Sequence, residues 1–82
     1  MKESNMDNKE YFLAGRIYQH ILTTAKKTEE EKVTIIFGVS EDYDLIELLQ
    51  ILEDVLNHNA VFVVQPLDYG CELIIHINKK KL

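Results

Sequence analysis

The chain has 82 residues, of which 46% are hydrophobic, with one cysteine and a net charge of −5. One domain fits that length, one that buries only about 60–65% of the surface its unfolded chain exposes. A lone Cys71 excludes an intrachain disulfide, and no apolar run approaches the roughly 20 residues that a membrane-spanning helix needs.

Charge is informative by position. From Val33 to Asn78 there is no Lys or Arg, while eight carboxylates fall there: Glu41, Asp42, Asp44, Glu47, Glu53, Asp54, Asp68 and Glu72. The folded centre is expected to be electronegative, which repels phosphate backbones and argues against nucleic-acid binding. Without a cationic, apolar leader, the reducing cytoplasm is the expected compartment.

Residues 1–7 are polar and aperiodic and read as a flexible N-terminus. Asp7 and Glu10 have capping-box spacing, so helix α1 is expected from about residue 8 to Lys27. Its apolar stripe reads Tyr11, Ala14, Tyr18, Ile21, Leu22 and Ala25, flanked by Leu13 and Ile17. Gly15 within it suggests close approach of another backbone. Thr28 to Glu31 reads as a linker, because carboxylates oppose the dipole at a helix C-terminus.

Strand β1, Val33 to Val39, is rich in β-branched residues, with Val33, Ile35, Phe37 and Val39 on one face. Ser40 is the expected N-cap of helix α2, whose first turn Glu41, Asp42 and Asp44 would make acidic. Leu45, Leu48, Leu49, Leu52, Val55 and Leu56 line one side of α2, and Ile46 and Ile51 widen the stripe enough to suggest a second contact. Asn57, His58 and Asn59 close it. Strand β2 spans Ala60 to Gln65, Pro66 to Gly70 form a hairpin loop, and strand β3 returns from Cys71 to Asn78. Residues 79–82 form a basic C-terminal tail behind a single domain at 8–78.

The order α1-β1-α2-β2-β3 predicts an α/β (α+β) two-layer sandwich, with both helices on one face of a three-stranded mixed sheet. With Val33, Ile35, Leu73, Ile75 and Ile77 toward the helices, the far face keeps Ile36, Ile74 and a pair from β2, either Phe62 and Val64 or Val61 and Val63. Such a face is not expected to stay wet in a monomer.

No catalytic constellation emerges. The turn FGVSED has phosphate-binding shape, but its carboxylates repel anions and no P-loop lysine follows. Glu41, Asp42 and Asp44 offer oxygens to a hard cation, yet lack the Gly and distal Glu of an EF-hand, so capping is the expected role. His20, His58 and His76 share no ligand spacing, and Cys71 and His76 lie on opposite faces of their strand. Lys79 to Lys81 have no interleaved aromatics and make a weak nucleic-acid footprint.

The chain thus reads as a small non-catalytic interaction or regulatory module, homodimeric, presenting an acidic surface to a protein partner and needing no cofactor or metal. The residues expected to bind partners are Ile36, Tyr43, Ile46, Tyr69 and Ile74. The competing reading is a small-ligand or metal-dependent enzyme whose site forms only at a dimer interface, because a half-site leaves no motif.

Overall fold

The computed structural model describes residues 8–82. Helix α1 spans Lys9–Lys27, strand β1 Lys32–Ser40, helix α2 Leu45–Val55, strand β2 Ala60–Leu67 and strand β3 Gly70–Asn78, followed by a 3-10 turn at Lys79–Lys81. The architecture is α+β, with two helices and one three-stranded antiparallel sheet of strand order β1-β3-β2.

The expected mixed sheet is corrected by that order. β1 and β2 run parallel, as a helical crossover requires, but they are not neighbours, because β3 lies between them and pairs antiparallel with both. The ladders run from Lys32↔Asn78 to Ser40↔Gly70 on one side and from Ala60↔Ile77 to Leu67↔Gly70 on the other. This places Leu73 and Ile75, both fully buried, in the middle of the sheet.

One hydrophobic cluster joins Val33, Ile35, Val39, Cys71, Leu73, Ile75 and Ile77 of the sheet to residues of both helices. From α2 and its C-cap it takes Leu48, Leu52 and Leu56 of the expected stripe, whereas Val55 of that stripe is exposed. From α1 it takes Leu13, Ala14, Ile17, Ile21 and Ala25, so the buried stripe is rotated from the expected one. Leu13 and Ile17 are central, whereas Tyr11 is exposed. Gly15 is also exposed, and a Cβ there would meet nothing within 4 Å, so no backbone approaches it.

The helix starts differ from expectation in an informative way. Asp7 lies outside the described residues, and Asn8 caps α1, its Oδ1 accepting from the Glu10 and Tyr11 amides at 2.8 and 3.3 Å. Ser40 ends β1 instead of capping α2. Its hydroxyl accepts from the Asp42 amide at 3.1 Å in a local turn, and the cap is Asp44, accepting from the Glu47 amide at 3.2 Å.

Each cap is completed by the other helix. The Asp44 amide donates to Glu10 Oε2 at 2.7 Å, and Asn8 Nδ2 donates to Glu47 Oε2 at 2.8 Å. Glu10 therefore gives α2 what a capping-box glutamate gives its own helix, while Glu47, at the capping-box position of α2, turns to α1. That explains why Glu10 is the one buried charged residue described.

The C-terminus of α2 follows the sequence. Asn57 and His58 have positive φ of 54° and 58°, and their amides donate back to Asp54 and Glu53 at 3.1 and 2.8 Å in a Schellman pattern. Pro66 does not end the β2 ladder as expected. It sits within an edge strand opposite Cys71, where a missing N–H is tolerated, and the hairpin tightens to Asp68 and Tyr69. Gly70 has φ of 144°, and a Cβ there would strike the Val39 carbonyl oxygen.

Candidate interaction surface

Alternation along the three strands sets the second face of the sheet. Buried residues of β1 and β3 point to the helices, so Thr34, Ile36, Gly38, Glu72, Ile74 and His76 point away. The register opposes Val61 to His76 and Val63 to Ile74, which assigns Val61 and Val63 to this outer face and Phe62 and Val64 to the helix side. No helix covers it.

The central row of the face is Ile36, Ile74 and Val63, three apolar side chains abreast. Ile36 is 57% exposed and Val61 62%, and Leu67 is exposed at the strand's far end. Aliphatic groups this open on one contiguous surface are the feature that monomeric domains avoid. Toward the start of β1 the face dips into a depression of about 190 Å³ lined by Lys32, Asn59, Val61, His76, Ile77 and Asn78. There His76 Nδ1 lies 2.9 Å from Thr34 Oγ1.

The five residues singled out from sequence do not form one patch. Ile36 and Ile74 are direct partners across β1 and β3. Tyr69, 79% exposed, sits in the β2–β3 turn, where its carbonyl accepts from the Glu41 amide at 3.1 Å. Tyr43 is half-buried against the core with Lys9 Nζ 5.3 Å from its ring centroid, so it serves local packing. Ile46, 71% exposed, lies on α2 in the helix layer and not with the sheet face. Val61, Val63 and Leu67 complete the outer face. Sequence left the first two as alternatives because AVFVV is apolar on both parities, and it missed Leu67 because Pro66 marked the strand's end.

The remaining chemistry-bearing residues are occupied structurally or dispersed. Asp44 caps α2, and Asp42 accepts from the Ser40 hydroxyl at 3.3 Å. Among the described residues no three His, Cys, Asp or Glu side chains converge as a metal site. His58 approaches Asp54 and Glu53 at 3.9 and 3.8 Å on an exposed helix end. Cys71 is buried on the helix side of β3, and that burial pushes its thiol pKa up. Lys79 is tied to the linker after α1, its amide donating to the Glu31 carbonyl and its ammonium to the Thr28 carbonyl, each at 2.6 Å. Lys80 pairs with Glu31 at 2.8 Å.

Charge is arranged along the strand axis. The turn holding Glu41 and Asp42 is hydrogen-bonded to the turn holding Asp68 and Tyr69, giving one acidic end. The opposite end carries Lys32 and Lys79–Lys81 among Glu29, Glu30 and Glu31. Among the described residues no helix is long and apolar enough to cross a membrane. Comparison with protein-family models, curated proteins and solved structures finds no match.

Proposed function

We propose that the protein is a small non-catalytic interaction module that works as a homodimer through the outer face of its sheet and presents its acidic end to a basic protein partner. The observation that carries this reading is the uncovered row Ile36, Ile74 and Val63, extended by Val61 and Leu67. A chain this short gains from burying that surface, at about 25 cal/mol for each Å² of apolar area removed from water. The acidic end supports the second half of the reading, since the turn of Glu41 and Asp42 is hydrogen-bonded to the turn of Asp68 and the exposed Tyr69, and Tyr is favoured at contact surfaces.

Paired substitutions test the surface. Ile74→Lys puts an unpaired charge in the centre of the proposed contact, and Ile46→Lys makes the same change on α2. Light scattering after size exclusion is expected to show a dimer for wild type and Ile46→Lys and a monomer for Ile74→Lys. Dissociation by Ile46→Lys alone would move the contact to the helix layer.

A further inference from the structure

We propose that the two copies pack outer face to outer face and end over end, with Ile74 against Ile74 on the two-fold axis and Glu72 of each copy over His76 of the other. This rests on the homodimer reading and gives it a geometry. Three observations lead to it.

The first is the symmetry of the face. On the central strand β3, Glu72 and His76 flank Ile74 at two-residue spacing, and Ile74 is abreast of Ile36 and Val63. A half-turn about an axis along that row lays each of its residues on its own copy and exchanges the Glu72 row with the His76 row. The face is then self-complementary, as an isologous interface requires.

The second is charge. A face-to-face half-turn about an axis parallel to the strands would instead set Glu72 over Glu72. Like charges directly opposed at an interface are costly, so the pattern selects the end-over-end arrangement. The same choice brings each acidic end over the other copy's mixed end, where Lys32 and Lys79–Lys81 lie among Glu29, Glu30 and Glu31. Lys32 shares the depression with His76, so a carboxylate arriving there meets an ammonium as well as an imidazole. In the tautomer that lets the Thr34 hydroxyl donate to Nδ1, 2.9 Å away, His76 has Nε2–H as a donor for that carboxylate. None of the ion pairs among the described residues uses Glu72.

The third is area. Three strands of eight or nine residues present a face of about 30 by 14 Å in projection. That projection is about 420 Å², and side-chain relief raises the accessible area toward the roughly 600–1,000 Å² per partner of a specific, stable contact. Aligned sheets packed about 10 Å apart would interdigitate the two aliphatic rows.

Charge reversal tests the geometry by sedimentation equilibrium. His76→Glu alone opposes two carboxylates twice per dimer, and Glu72→Lys alone sets an ammonium against Lys32 and the imidazole; each is expected to raise the dimer Kd about tenfold or more. The double variant places opposite charges at both positions and is expected to return within about threefold of wild type. Single variants without effect, or a double variant that does not recover, would overturn the geometry while a dimeric wild type leaves the homodimer reading standing. A monomeric wild type overturns both. If Glu72→Lys does not fold, Glu72→Gln must still weaken the dimer about threefold, and an unchanged Kd in that variant overturns the geometry.

Discussion

The amide of Asp44 donates to the carboxylate of Glu10 at 2.7 Å, so a residue in the first turn of α1 completes the cap of α2. With the Asn8 to Glu47 bond at 2.8 Å, it locks the two helix starts together on one side of the sheet. Removing the Glu10 side chain leaves a part-buried N–H without an acceptor. Glu10→Ala is expected to lower stability by about 2 kcal/mol, and Glu10→Gln, which keeps an acceptor oxygen, by less. Urea denaturation of the two variants measures the difference.

Gly70 is the glycine with the least room for a side chain. Its φ of 144° lies outside the range of side-chain-bearing residues, and a methyl group would enter the space of the Val39 carbonyl. Gly70→Ala is expected to cost more than about 2 kcal/mol, read as a drop in the midpoint of thermal unfolding. Gly15→Ala, at an open and helical position, is expected to stabilise by roughly 0.5–1 kcal/mol. The two substitutions therefore differ in sign.

Cys71 gives the pH dependence. Burial raises its pKa in the folded state above the unfolded value, so the native state holds the thiol proton more tightly. The associated stability is present below the unfolded thiol value of about 8.5 and is lost as pH rises through the folded value. Stability of the wild type is expected to fall with pH above about 8.5 more steeply than that of Cys71→Ala, measured by denaturant titration across pH 7–10. The thiol is also expected to resist aromatic disulfide reagents until the protein unfolds.

The elements were legible because their periods are strong. α2 shows three-and-four spacing from Leu45 to Leu56, and β1 and β3 are β-branched, apolar runs bounded by polar residues or glycine. Strand adjacency was not legible. A helical crossover fixes that β1 and β2 run parallel, and a short turn fixes that β2 and β3 pair, but neither says which strand lies beside β1. The start of α2 was misplaced because Ser40 and Asp44 are both eligible caps, and only the fold reveals that Ser40 closes its own turn. The α1 stripe was misjudged because Tyr11, Phe12, Leu13 and Ala14 are consecutive and apolar, so rotation by one position changes little in the pattern. Of the candidate surface, Ile36 and Ile74 were legible from strand parity. The β2 contribution needed the register, and the reciprocal placement of Glu72 and His76 about Ile74 depends on β3 being central.

Coverage of the outer face by a second copy is the central expectation. Sedimentation equilibrium of the wild-type chain at tens of micromolar measures this directly, since a dimer of micromolar Kd is mostly assembled there. The predicted result is a species of twice the 9.6 kDa chain mass that dissociates on dilution. A single species of 9.6 kDa at that concentration would contradict the account.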